Sequence, residues 1–268
     1  MSAVLYEKRG HIALITINRP ERHNALNPEA VVLLADAWKT VSEDADIRVA
    51  VVTGAGEQSF CAGADLAELI TLFNGARTPE NDFDRAVMQD FFMLERTLLR
   101  NFDCGKPVIC AANGNAIAGG MEMLQGTEIR VIADHAKLGL QEVKWGLFPA
   151  GGSTVRLPRQ IPYAIAMEIL LTGDLISAQR AYELGLVNYV VPADQVMAKA
   201  MEIAERIASN GPLAVREVRR SARECINIPE KEALDKEKMF AAPVIFSKDA
   251  REGPRAFKEK RKPNFIGS

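Results

Sequence analysis

Pro107-Val108-Ile109-Cys110-Ala111-Ala112-Asn113-Gly114-Asn115-Ala116-Ile117-Ala118-Gly119-Gly120-Met121-Glu122 opens as an apolar run and closes on a glycine pair and a carboxylate. The first six residues suit a strand buried on both faces. Gly119-Gly120 then starts a helix, and a further strand is expected over 128–133. Strand, glycine turn and helix in that order mark an α/β chain.

The same alternation extends outward in both directions. His11–Asn18 reads as a strand that Arg19-Pro20 terminates. Asn27-Pro28-Glu29 is a helix start, with a capping Asn, Pro at the first position and an acid facing the dipole. Val31, Leu34, Ala35, Trp38 and Val41 continue it as an apolar stripe. Arg48–Gly54 is a second buried strand. Helix is expected near Asp65 and over Phe83–Arg100, with a flexible loop at 74–79 between them. Short helices follow over 152–184, and a strand over 188–191. From Pro192 the strands stop, and three helical stretches follow (193–209, 212–226, 229–241) before a basic tail. The expected division is an α/β core over 1–192 and a helical C-terminal subdomain over 193–268, the latter suited to packing on a neighbouring copy.

Length and composition set the frame. The 268 residues are 48% hydrophobic and 25% charged, as in a globular chain with a substantial core. A formal charge of −2 argues against general nucleic-acid binding. No stretch approaches the roughly 18 apolar residues of a membrane helix. The N-terminus has neither a signal-peptide nor a transit-peptide pattern, so a cytoplasmic location is expected. Cys61, Cys104, Cys110 and Cys225 lack metal-ligand spacing and read as free thiols; no metal is expected. His11, His23 and His135 fit neither a metal site nor a triad.

Two carboxylates stand out. Glu122 follows Gly119-Gly120, and Glu142 precedes Pro149-Ala150-Gly151-Gly152. A third glycine turn lies upstream in Phe60-Cys61-Ala62-Gly63-Ala64-Asp65-Leu66. Two such turns can aim backbone amides at one point, with a carboxylate on either side. That is acid–base chemistry beside a carbonyl whose developing negative oxygen is held by N–H groups. Cys61 adjoins the upstream turn, but no histidine is placed to activate it as a nucleophile.

These segments, together with Asn18-Arg19-Pro20, Asn24-Ala25-Leu26, Gly54-Ala55-Gly56, Leu171-Thr172-Gly173, Gly185-Leu186-Val187 and Glu252–Arg261, resemble the crotonase superfamily, the enoyl-CoA hydratase/isomerase group. The resemblance runs nearly end to end. It implies a crotonase-like spiral of ββα repeats with a C-terminal helical oligomerisation subdomain building a homotrimer or a hexamer. It implies an acyl-CoA thioester substrate, with coenzyme A as part of the substrate and no separate cofactor. It places the oxyanion-hole amides on Ala64 and Gly119, and the hydratase carboxylates on Glu122, which activates water, and Glu142, which exchanges a proton at the α-carbon. Coenzyme A contacts are implied at Arg22, Ala25, Ala62, Asp65 and Leu66, and at Phe240 and Lys260 from an adjacent subunit. The implied activity is an enoyl-CoA hydratase. Its rivals are a specialised dehydratase such as carnitinyl-CoA dehydratase, an isomerase, or a non-catalytic acyl-CoA- or RNA-binding relative.

Three departures accompany the resemblance. Ala118 replaces the first glycine of the usual three, which is expected to be tolerated at negative φ. Gln141 stands where a proline often precedes the second glutamate, and Ala150 replaces a glycine after Pro149. Trp38 is expected in the core, while Trp145 divides between packing and walling an acyl pocket.

Overall fold

A computed structural model describes residues 2–90 and 92–268. Its strands are β1 (Val4–Arg9), β2 (Ile12–Ile17), β3 (Val49–Gly54), β4 (Ser59–Cys61), β5 (Val108–Ala112), β6 (Asn115–Ile117), β7 (Ile129–Ala133), β8 (Lys137–Gly139), β9 (Ile176–Ser177) and β10 (Tyr189–Val191). The helices are α1 (Pro28–Glu43), α2 (Thr71–Phe73), α3 (Asp82–Gln89), α4 (Phe92–Thr97), α5 (Gly119–Gln125), α6 (Ser153–Gln160), α7 (Tyr163–Thr172), α8 (Ala178–Glu183), α9 (Val196–Ala208), α10 (Pro212–Cys225), α11 (Glu230–Ile245) and α12 (Lys248–Lys258).

The strands sort into two sheets. One runs β1-β2-β3-β5-β7-β10, parallel except for the β1–β2 hairpin; the other runs β4-β6-β8-β9, parallel through β8. In β3/β4, β5/β6 and β7/β8 the first strand joins the large sheet and the second the small one. Each pair is therefore one turn of a spiral, followed by helix. β3 and β5 are buried along their whole length, which is why both read as unbroken apolar runs. Two asparagines hold the bends. Asn24 Nδ2 donates to the carbonyls of Ala55 and Ser59, and Asn113 takes the Gly54 amide while donating to the Gly56 carbonyl.

Most expected helices form where the sequence places them. The Asn27 side chain caps α1 by accepting from the Ala30 amide, and Trp38 is fully buried with its indole N–H on the Thr97 carbonyl. The single helix expected over Phe83–Arg100 is divided into α3 and α4: Asp90 leaves the helical region and caps the new start at the Phe92 amide. Phe91, within that stretch, lies outside the described residues, as does Met1. The 74–79 segment, expected as a flexible loop, is anchored: Arg77 donates twice to the buried Asp84 carboxylate and once to the Glu68 carbonyl.

α9 was expected with the C-terminal helices but packs on β3, β5 and β7 through Val196, Ala200, Ile203 and Ala204. The helices that leave the core begin at Pro212. There α11 packs on α10 and α12. Among the described residues, no helix is long and apolar enough to cross a membrane.

Candidate active site

Two glycine turns meet at the junction of the sheets. Beyond β4, Gly63 adopts φ +89°, a left-handed conformation that a side chain resists. Its carbonyl accepts from the Leu26 amide at 2.7 Å, and the Asp65 amide donates to the Leu26 carbonyl at 2.9 Å. This parallel bridge leaves the Ala64 N–H pointing away from Leu26. Gly119 is the first residue of α5, so its amide has no intrahelical acceptor. The two turns touch: a Cβ on Gly63 would lie 3.0 Å from the Gly119 nitrogen, and one on Gly119 would lie 3.9 Å from the Ala64 nitrogen. The expected pair of free amides is thus brought to one patch.

Ala118, which precedes Gly119, corrects an expectation. Its φ is +51° and ψ −123°, not the negative φ that would make alanine tolerable there. The chain reverses sharply at this point to enter α5, and a glycine would do so without steric cost. Ala150 behaves otherwise and is not among the residues of positive φ.

α5 is buried from Gly120 to Gln125 and carries Glu122 into the interior, where the side chain is 3% exposed. The N-terminus of α6 meets it. The Ser153 amide donates to Glu122 Oε1 at 3.2 Å, and Gly151 packs so closely that a Cβ there would lie 2.4 Å from Oε2. Burial raises its pKa above the ordinary carboxylate value, and the neighbouring Ser153 and Gly151 groups partly offset the rise. Glu142 begins a 3-10 turn ending at Trp145. Its Oε2 is buried without a partner among the described residues. Burial, and secondarily the charge of Glu122, push its pKa up to about 7, against the pull of its own amide. Glu122 takes a donor from the start of α6, whereas Glu142 has only its own amide to oppose the rise.

Both face a cavity of about 290 Å³ lined by Ala64, Gly119, Leu98, Phe73, Trp145 and Phe148 among others. It offers a dry wall, two amides and two acids. That suffices to polarise a carbonyl and move protons at the carbons beside it. Among the described residues, no group of three or more ligating side chains is gathered for a metal.

Residues 7–268 match the family model described as enoyl-CoA hydratase/isomerase. The chain belongs to the enoyl-CoA hydratase/isomerase family. It is 46% identical over 261 residues to enoyl-CoA hydratase EchA19 of Mycobacterium tuberculosis, covering 97% of this chain and 95% of that protein. It is 37% identical over 265 residues to (E)-benzylidenesuccinyl-CoA hydratase of Thauera aromatica, covering 99% of each. The crystal structure of enoyl-CoA hydratase from Bacillus anthracis superposes with a TM-score of 0.89 at 38% identity, over 99% of this chain and 100% of that one.

Within this hydratase/isomerase fold the other expected site residues separate. Ala62 and Leu66 line the cavity. Asp65 does not: it is buried, pairs with Arg19 at 3.0 Å and caps the following turn through the Ala67 and Glu68 amides. Ala25 contributes its carbonyl to the same Arg19 guanidinium, and Arg22 is exposed at the end of a 3-10 turn. Phe240 sits in a separate groove between α10 and α11, under the Arg220 guanidinium, and Lys260 is exposed after α12. Cys61 is fully buried, and burial pushes its thiol up to about 12, which suits core filling rather than nucleophilic attack. Trp145 takes the walling role. Sequence reasoning missed Ser153 and Gly151 as carboxylate neighbours, although Gly151-Gly152 ahead of a helix signals free amides. It also missed Arg156, which bonds the carbonyls of Glu122, Leu98 and Leu99.

Proposed function

We propose that this enzyme adds water reversibly to a 2-enoyl-CoA thioester, as an enoyl-CoA hydratase, using Glu122 and Glu142 together against an oxyanion hole of the Ala64 and Gly119 amides. The observation that carries the reading is one cavity holding both carboxylates and both amides. Attack of water at C3 sends its proton to Glu122 and electrons to the thioester oxygen, where the two N–H groups meet the forming enolate. A donor of this kind is worth about 2.7–4 kcal/mol of barrier. Glu142, protonated, then supplies C2. The raised pKa of Glu142 and the Ser153 amide on Glu122 favour that division of labour. A reaction needing a single base, such as isomerisation, would leave one of these glutamates without a task.

Coenzyme A follows in the same proposal. Ala62 and Leu66 border the thioester end. Arg22 and Ala25 lie along the outward path, and Asp65 shapes it by fixing the turn with Arg19. Phe240 and Lys260 reach the nucleotide of a neighbouring subunit in a trimer or a pair of trimers, assembled through the exposed apolar faces of the C-terminal helices. The setting is the cytoplasm.

The test is steady-state hydration of crotonyl-CoA and longer 2-enoyl-CoAs in heavy-oxygen water. Glu122→Gln and Glu142→Gln should each lower kcat by about 10²–10⁴-fold, and the label should appear at C3 of the unaltered enzyme's product. Near-normal turnover by either variant removes that residue from the mechanism. An unlabelled, double-bond-shifted product replaces hydration by isomerisation.

A further inference from the structure

The cavity that holds the two glutamates is also selective in charge and size. Beyond the amides and acids, two segments wall it: one carries Ile70 and Phe73, the other Trp145, Leu147 and Phe148. Both segments are pinned. Glu68, in the turn that ends at Ile70, accepts from Arg19 through its carboxylate at 2.9 Å and from Arg77 through its carbonyl at 2.8 Å. In the second segment the Leu147 amide returns to the Glu142 carbonyl at 2.9 Å, and Gly146 makes the reversal at φ +68°. Glu142 and the wall beside it are therefore one unit, formed before any substrate arrives.

Among the described residues, no Lys, Arg or His lines the cavity, whereas two carboxylates do. Lys144, within the Glu142 turn, is engaged elsewhere with Asp174 at 2.7 Å, and Arg156, beside Glu122, bonds the carbonyls of Leu98, Leu99 and Glu122. A second carboxylate entering with the substrate would be desolvated, unpaired and repelled by the ionised Glu122. At about 30 Å³ for each water-sized group, the cavity of about 290 Å³ has room for about ten such groups. The four carbons of a crotonyl chain fill less than half of it. Trp145 is 68% exposed and Phe148 70%, and an apolar tail lying along them would take both from water. We propose that the acyl group this enzyme takes is uncharged, apolar and longer than four carbons, with its end against Trp145 and Phe148, which thereby select the substrate. This rests on the reading of the cavity as an acyl-CoA site.

The experiment compares 2-enoyl-CoAs of four, six and eight carbons with a six-carbon analogue that ends in a carboxylate. For hydration, kcat/KM should rise about fourfold per added methylene, and the carboxylate-ended analogue should fall at least about 100-fold below 2-hexenoyl-CoA. Phe148→Arg should narrow that gap at least about tenfold, the two substrates being compared within the same variant. Trp145→Arg takes its place if that variant does not fold. Calorimetric binding of saturated butyryl-, hexanoyl- and octanoyl-CoA, and of the saturated carboxylate-ended form, reads the same preference without the reaction. If no enoyl-CoA is hydrated but the saturated compounds bind in this order, the acyl class stands and the hydratase reading fails. Three results each overturn the proposal: kcat/KM flat or falling with length, a carboxylate-ended substrate taken as well as 2-hexenoyl-CoA, or a gap that the arginine leaves unchanged.

Discussion

Glu142 carries a folding cost that Glu122 offsets in part. Glu122 is buried and receives the Ser153 amide, whereas Glu142 is half-buried and its Oε2 has no partner among the described residues. With a folded-state value of about 7 against an ordinary 4.5, Glu142 binds its proton more tightly in the folded chain. The linkage sign follows: its stabilising contribution is present in full below about 4.5 and is lost as pH rises through about 7. At pH 8 the ionised, poorly solvated carboxylate opposes folding by an amount on the order of 1–2 kcal/mol, allowing for its partial exposure. Glu142→Gln should therefore melt a few degrees above the unaltered enzyme at pH 8 and near it at pH 4.5. Thermal melts across that range check this; a difference independent of pH would show that Glu142 does not titrate in the window.

At the scale of elements, the site depends on how closely α5 approaches β4. A Cβ on Gly120 would lie 2.1 Å from the Cys61 carbonyl oxygen and 2.9 Å from its Cβ, so backbone meets backbone there. Gly120→Ala should cost about 1–3 kcal/mol by overpacking. It should also push the start of α5 away from Ala64; displacement by about 1 Å is enough to lose about 10²-fold in rate. A fall in kcat exceeding that expected from unfolded protein, measured on the folded fraction, would separate misplacement from instability. The same closeness explains what the sequence could and could not disclose. The glycines beside Glu122, and the buried β3 and β5, announced themselves by composition and by unbroken apolarity. The second strands β4, β6 and β8 are three residues each, too short for any alternation to register. The resemblance implied paired strands in a spiral but gave these second strands no position. Ser153 was hidden for another reason: it meets Glu122 and Gln125 only where α6 packs on α5, which brings positions 28 residues apart within 3.0 Å.

For the whole molecule, the C-terminal layer is tied to the core by charge and left open by its apolar face. Arg219 is buried and pairs with both Glu128 and Asp103, anchoring α10 across more than ninety residues of chain. Beyond that anchor, Met239 is 73% exposed, Phe246 78% and Phe257 88%, and α10 and α11 enclose an apolar groove of about 530 Å³. So much exposed apolar surface on adjoining helices is characteristic of an interaction surface, and the proposed trimer would cover it. Covering one such side chain yields about 1.5–3 kcal/mol, whereas placing a carboxylate there in a dry contact reverses the sign. Met239→Glu combined with Phe246→Glu should accordingly dissociate the assembly while leaving the fold intact, because neither residue belongs to the core. By sedimentation velocity the unaltered enzyme should run as a small multiple of the 29.4 kDa chain, and the double variant as one chain. If Phe240 and Lys260 complete a neighbour's coenzyme A site, the dissociated variant should also show a raised KM with a much smaller change in kcat. A single-chain mass for the unaltered enzyme would remove the trimer, and an unchanged mass in the variant would move the interface away from α11.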